Sequence, residues 1–454
     1  QKSQKIDVIV DYVRLLREQG SFSLADQMLR EVIAKSDDAE QSAEARKLLA
    51  DPYLAQVKLR DHGDPANRID MFVLGDGYQV DDAQQSQFLN HAKTCERLLF
   101  AVDPYREYEQ YFNFSAIHVQ SVDQGVTREP GDIVRDTALG CTVRYDVLTS
   151  NAGKVFSITD RLGISGQDRQ TVVIANDAAG VATGGGGVAS LPKGALGLVN
   201  HEVGHSFGGL NDEYDNEPGS DPEKAPPPPR DAVVATREAP PNLMHGSDKA
   251  DVASKVIWQE WIDAEELWWN NSTVGLFEGG DRKPFHVWRP QLSCMMRDLS
   301  GFCVVCMEHM VKQIYRRVRP VDKVEPEPGE WVLEKKDEEE VILKVWTLQP
   351  RTHDLDVTWR VLSYGLQKPA AAGGDSGGGL TAVKDERLGE VWRRSQSGLD
   401  PEGKTVRAAQ LRSKDLEPGW HRVRCTVHDP TPWVIRDDEG LLTQELEWWV
   451  EVRP

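Results

Sequence analysis

His201-Glu202-x-x-His205 opens the stretch HEVGHSFGGLNDEYD, which ends at Asp215. A spacing of four places both imidazoles on one face of a helix, one turn apart, where they can grip a single metal ion. Glu202 lies next to the first imidazole, within reach of a water on that ion. Zinc suits such donors, lowers the pKa of its water and polarises a carbonyl. These residue types at this spacing point to peptide-bond hydrolysis: Glu202 takes the proton of the zinc-bound water, and the hydroxide attacks the carbonyl carbon.

A third ligand must follow soon after. Metzincins read H-E-x-x-H-x-x-G-x-x-H. Here Gly208 fits the glycine position, but the last position is Asn211, a poor zinc ligand. Asp212, one residue later, is the expected third ligand, and Glu213 is the alternative. The carboxylate not used is placed to brace a histidine. Tyr214 either donates to the developing oxyanion or packs beneath the site. A methionine turn under the metal would complete a metzincin-like floor, with Met296 as the candidate. Met295 and Met244 are also available, and core filling is the competing role for all three.

The motif needs a helix. Ala195, Leu198, Val199, Val203 and Phe207 supply its apolar stripe, and Gly208-Gly209 stops it. Upstream, Ile69 to Leu74 reads as a strand ending in the turn Gly75-Asp76-Gly77-Tyr78; Phe112 to Ser121 and Thr171 to Ala175 read as two more. Phe88, Ala92, Cys95, Leu98 and Leu99 mark a helix between the first two. A mixed sheet backed by the motif helix would present the metal beneath an edge strand, where an extended peptide can pair. Gly184 to Gly187 reads as a flexible loop bordering the cleft; no Lys-Ser/Thr follows it, which excludes a nucleotide loop. Val304 to Val318 reads as a closing helix.

The texture changes along the chain. Residues 1–60 form a helical appendage. One stripe contains Ile6, Ile9, Val10, Val13 and Leu16, and Gly20-x-Phe22-x-x-Ala25 resembles a single tetratricopeptide unit. Asp51-Pro52 closes it. Residues 61–320 carry the α/β pattern and the motif, with a proline-rich surface excursion at 222–230. Glu325 to Gly329 reads as a linker. Residues 321–454 contain about seven strand-like runs, the expectation being an immunoglobulin or fibronectin type III-like β-sandwich with a Gly-rich loop at 370–379. Trp346, Trp359, Trp420, Trp448 and Trp449 either fill its core or form a binding face. The fold class is multidomain α+β.

With 454 residues and a net charge of −20, the chain is a poor match for nucleic acid or an anionic membrane. It has no apolar run long enough to span a bilayer. Six cysteines occur, at 95, 141, 294, 303, 306 and 425. Cys303-x-x-Cys306 with Cys294 does not complete a zinc knuckle, so one disulfide from Cys294 to Cys303 or Cys306 is expected, in an oxidising compartment, with free cytosolic thiols as the alternative.

Several islands in one order resemble the IgA-peptidase family of zinc metalloendopeptidases, over roughly residues 68–318. They are Leu74-Gly75-Asp76-Gly77-Tyr78, Phe112-Asn113-Phe114, His201 to Tyr214, Gly275 to Gly280, Arg289-Pro290, Cys294-x-Met296 and Phe302-Cys303-x-x-Cys306. The resemblance implies a bacterial, exported zinc endopeptidase acting on protein or peptide substrates, secreted or periplasmic, with a zincin-like catalytic domain and accessory β-sandwich modules. It makes His201 and His205 ligands of one catalytic zinc ion and Glu202 the base, with the Asp212-Glu213 pair supplying the third ligand. The competing function is a non-catalytic extracellular binding protein on a peptidase-like core. Retention of Glu202 and both histidines speaks against it. Substrate and oligomeric state are not legible.

Overall fold

The computed structural model describes residues 12–13, 15–16, 22–36, 38–50, 54–131, 133–161, 170–215, 240–264, 273–368, 384–388, 390–392 and 405–454. The expectations for Ile6, Ile9, Val10, Gly20, Asp51-Pro52, the excursion at 222–230 and the loop at 370–379 lie outside the described residues. The chain divides into two compact units, Gln1–Arg106 with Phe112–Met310, and Glu107–Tyr111 with Val311–Pro454. It is a multidomain α+β protein, as the mixture of sheets and helices shows.

In the first unit the helices are α1 (Phe22–Lys35), α2 (Ala39–Ala50), α3 (Asp82–Leu99), α4 (Ala152–Arg161), α5 (Val199–Ser206), α6 (Lys249–Ala253), α7 (Gln259–Asp263) and α8 (Met295–Asp298). The strands are β1 (Leu54–Arg60), β2 (Ile69–Asp76), β3 (Phe112–Val119), β4 (Thr127–Glu129), β5 (Thr142–Arg144), β6 (Val147–Thr149), β7 (Gln170–Ala175), β8 (Thr183–Gly185), β9 (Val188–Pro192), β10 (Met244–His245), β11 (Phe277–Gly280) and β12 (Lys283–Arg289). Helix α9 (Val304–Tyr315) follows. Val13, Leu16, Ala25, Leu29, Ala45 and Leu48 form a small helical core of their own.

Six strands form one sheet in the order β1-β3-β2-β7-β9-β8. Its central strands run parallel, and β1 and β8 run antiparallel at the two edges. β3, β7 and β9 are buried at every position, so both faces of the sheet are covered there. Two expectations need correction. Leu54–Arg60, placed in the helical appendage, is edge strand β1, because Gln56 and Val57 find ladder partners on β3. The four glycines are not a free loop. Gly184 and Gly185 lie in edge strand β8, and Gly186 and Gly187, at φ of +57° and +82°, make its hairpin turn to β9.

The turn after β2 is held by one carboxylate. Asp76 is fully buried and accepts amide hydrogen bonds from Leu139 and Cys141, both at 2.8 Å. Gly77, at φ +74°, has no room for a Cβ, which would sit 2.2 Å from the Gly125 carbonyl oxygen. The Gly75-Asp76-Gly77 island is therefore a backbone device that ties the 121–141 segment to the end of β2.

The second unit contains β13 (Val321–Glu325), β14 (Glu330–Glu334), β15 (Glu340–Thr347), β16 (Asp356–Gly365), β17 (Lys384–Leu388), β18 (Glu390–Trp392), β19 (Thr405–Arg412), β20 (Gly419–His428) and β21 (Thr443–Arg453). They form two sheets, β13-β15-β19-β18 and β14-β21-β20-β16-β17. Glu325, expected to open a linker, ends a strand, since β13 pairs with β15. Strand β20 alternates buried and half-buried residues along its whole length, so one face of its sheet turns inward. Leu343, Val345, Trp359, Val423, Trp448 and Val450 belong to one core shared by both sheets. Trp359 and Trp448 stack there, with centroids 5.8 Å apart. Trp420 and Trp449 are half-buried instead, with the Lys368 ammonium 4.8 Å and 5.3 Å from their ring centroids. The tryptophans thus divide between the core and the outer face.

Residues 107–111 join the second unit through a buried polar network. His353 reaches Glu107 Oε1 at 2.9 Å and Asp429 Oδ1 at 2.7 Å from its two ring nitrogens. The Tyr108 hydroxyl donates to Asp429 Oδ2 at 2.9 Å. Burial disfavours a charged His353, but Asp429 and then Glu107 outweigh it and lift the imidazole from 6.5 to about 9. A raised pKa of this kind stabilises the fold fully below pH 6.5, and the contribution fades as pH rises through about 9. The advantage of the parent over His353→Gln in denaturant unfolding is therefore expected to shrink by on the order of 1–3 kcal/mol between pH 6.5 and pH 10. A constant gap across that range would remove His353 from the account.

Candidate metal centre and cleft

Helix α5 carries the motif. A 3-10 turn, Leu196–Leu198, leads into it, and Val199, Val203 and Phe207 bury its apolar stripe. It ends where the Gly209 amide donates to the His205 carbonyl at 3.0 Å with Gly209 at φ +63°, a left-handed cap that favours glycine. Gly204, between the two histidines, is packed by Met296, whose sulfur lies 2.7 Å from where a Cβ would stand. Met296 is fully buried beneath the helix. Met244 lies in β10, paired with β12.

Three donor atoms converge. His201 Nε2 and His205 Nε2 are 3.2 Å apart, and Asp212 Oδ1 is 3.1 Å from each. Four-coordinate zinc with ligands at about 2.0–2.1 Å has donor–donor edges of about 3.3–3.4 Å, so this triangle is nearly the right size. The other ring nitrogens set the tautomers. His201 Nδ1 is 3.0 Å from the Met295 carbonyl oxygen, and His205 Nδ1 is 2.6 Å from that of Leu210. A carbonyl only accepts, so each Nδ1 carries a proton, which leaves Nε2 of the neutral ring as the lone pair a metal would take. The donor set fits a zinc ion.

Electrostatics follow from this packing. Burial would raise the Asp212 carboxyl, but hydrogen bonds from His201 and His205 outweigh it and hold it well below the usual carboxylate range. Burial lowers His201, yet Asp212 and the Met295 carbonyl leave it raised overall. Burial lifts Glu202, an effect tempered by the two imidazoles. Tyr214 is pushed up to about 12, chiefly by burial and the Asp212 charge, so its hydroxyl is a neutral donor.

His201, Glu202, His205, Asp212 and Tyr214 line one cleft of about 610 Å³, together with Thr183 and Gly184 of β8. Glu202 is 5% exposed, lines this cleft and takes no part in the donor triangle. Edge strand β8 passes so close to α5 that a Cβ on Gly184 would lie 2.2 Å from the Glu202 carbonyl oxygen. Gly184→Val is expected to force β8 off the helix, costing about 1–3 kcal/mol and raising the KM for peptides. A variant with parent stability and KM would show that strand to be a bystander.

Arg282 escaped the sequence reading. It stands 70 residues downstream of Asp212 in the β11–β12 turn, where Asp281 and Arg282 have φ of +51° and +59°. Its Nη2 donates to Asp212 Oδ2 at 3.2 Å, and the amides of Asp281 and Arg282 donate to the carbonyls of Asp212 and Tyr214. Asn242 was missed as well. Fully buried, it clamps Asn211 through both backbone groups and donates to Glu213 Oε1 at 3.0 Å. Only the glycines and the charged pair of the hairpin sequence Gly279-Gly280-Asp281-Arg282 hinted at a tight turn.

Glu213, the alternative ligand, points away from the imidazoles. It sits with Cys294, Cys303 and Cys306, all fully buried. The expected disulfide is corrected here. All six cysteines are free, and the Cys294 and Cys306 sulfurs are 3.8 Å apart, far beyond a bond of about 2.05 Å.

Residues 57–243 match the family described as IgA Peptidase M64. The match includes the last four residues of β1, the Asp76 turn and the motif through Tyr214; the islands from Gly275 onward lie beyond it. No curated protein matches the chain. Among the described residues no helix is long and apolar enough to cross a membrane.

Proposed function

We propose that the chain is a zinc-dependent endopeptidase in which His201, His205 and Asp212 hold one catalytic ion and Glu202 is the general base. The donor triangle carries this reading: three atoms about one ligand edge apart, with Glu202 lining the same cleft. When bound, zinc lowers the pKa of the attacking water and polarises the scissile carbonyl. Glu202 accepts the proton of that water on its carboxylate and returns it to the leaving nitrogen. Burial raises Glu202, which helps the first task, since a more basic carboxylate takes the proton of water more readily. The neutral Tyr214 hydroxyl is a donor for the oxyanion. Strand β8 lies at the end of its sheet, where an extended substrate can add as a further strand.

The remaining parts of the reading follow the family resemblance. The first unit is a zincin-like catalytic domain with Met296 as its methionine floor. The two sheets of the second unit form an immunoglobulin-like accessory module, and the protein acts after export. Chelator-stripped protein should fail to cleave casein and regain activity with added zinc. Zinc-loaded protein that cuts neither casein nor a mixed peptide library would favour a binding protein on a peptidase-like core.

A further inference from the structure

A second set of metal-binding donors lies behind the cleft, and the proposed mechanism makes no use of it. Glu213, Cys294, Cys303 and Cys306 are each fully buried, and their donor atoms lie within 4.8 Å of one another. Cys294 Sγ is 3.8 Å from Cys306 Sγ. Glu213 Oε1 is 3.1 Å from Cys306 Sγ and 3.7 Å from Cys303 Sγ. A tetrahedral zinc site with Zn–S of about 2.3 Å and Zn–O of about 2.1 Å has S···S edges of about 3.8 Å and S···O edges of about 3.6 Å. We propose that these four residues bind a second, structural zinc ion, separate from the catalytic one.

Independent features support the site. Glu213 Oε2 is buried with no hydrogen-bond partner among the described residues, an orphan that a cation would satisfy. Backbone amides already point at the sulfurs, from Cys303 to Cys294 Sγ at 3.4 Å and from Cys306 to Cys303 Sγ at 3.5 Å. Such bonds disperse the charge of coordinated thiolates. Asn242 holds Glu213 Oε1 from outside, as an orienting partner of a ligand does. Soft thiolates select zinc over magnesium or calcium. Binding displaces the thiol protons to solvent and leaves three thiolates and a carboxylate on the ion.

The position of this site gives it a task. Glu213 is the chain neighbour of Asp212, and its amide donates to the Met296 carbonyl at 2.7 Å. Cys294 directly precedes Met295, whose carbonyl fixes His201. A closed second site would therefore hold from behind both the loop that carries Asp212 and the floor under His201.

Metal content and cobalt spectroscopy of the full chain test the proposal. The parent should hold two zinc ions per chain. His201→Ala/His205→Ala should keep one, and when stripped and reloaded with cobalt it should show the near-ultraviolet thiolate-to-cobalt charge-transfer band. Cys303→Ser/Cys306→Ser should lose that band and one ion while keeping the histidine-bound one. If the serine variant fails to fold, the histidine variant alone still decides. Absence of metal and of the band from the histidine variant would overturn the proposal. So would a peptide map with Cys294 joined by a disulfide. Failure of the catalytic assignment would show differently, as a histidine variant that keeps both ions or stays active.

Discussion

Glu202→Gln is expected to lower casein hydrolysis by about 10²–10⁴-fold, the usual contribution of a positioned acid–base group, with zinc content unchanged. The two effects separate because Glu202 lies outside the donor triangle of His201, His205 and Asp212. Glutamine keeps the volume and one carbonyl oxygen, so the cleft is not reshaped. What it loses is the capacity to accept a proton from water and return it to the amine. Stability should not fall. Burial already disfavours the Glu202 charge, so a neutral side chain of the same shape removes an unfavourable term. Initial rates on casein, metal analysis and thermal unfolding of parent and variant test all three parts. A variant that cleaved casein at the parental rate would dismiss Glu202 as the base and leave only a metal-binding fold.

The chemistry was more legible in the sequence than the frame that holds it. His201, Glu202 and His205 stood out because helical spacing converts a short string into a face. Strands β2 and β7 could be read as apolar runs because both their faces are covered. β1 was hidden because an edge strand with Gln56, Lys58 and Arg60 has no apolar signature. β8 was hidden because three residues, two of them glycine, resemble a loop until the hairpin with β9 is seen. The choice between Asp212 and Glu213 depends on where adjacent side chains point, and successive residues in extended chain point to opposite sides. Sequence spacing alone cannot decide that. The contacts that decide it come from afar: Arg282 is drawn to Asp212, and Asn242 and three cysteines surround Glu213. The cysteine set looked one ligand short because its fourth member, Glu213, sits more than 80 residues from Cys294 and already had a role in the zinc motif.

Asp212→Ala should raise the zinc concentration needed for half-maximal casein hydrolysis by more than about 100-fold. Loss of a mere outer partner of a ligand already costs 10–100-fold, and Asp212 is the only anionic member of the triangle. Its charge is well prepared for the task. The imidazoles keep the carboxyl ionised against the pull of burial, while Arg282 occupies Oδ2 and leaves Oδ1 facing both Nε2 atoms. Without it, only the two imidazoles remain beside a guanidinium that repels a dication. Asp212→Asn should fall between, since the amide oxygen can still coordinate but brings no charge. Titration of activity with zinc also distinguishes the neighbouring carboxylate. Glu213→Gln is expected to raise the zinc requirement less than Asp212→Ala does, because its carboxylate faces the cysteines rather than the imidazoles and acts on the triangle only through the loop it shares with Asp212. An unaltered requirement in Asp212→Ala, with a large one in Glu213→Gln, would hand the third ligand position to Glu213 and require the loop to turn over when the ion binds.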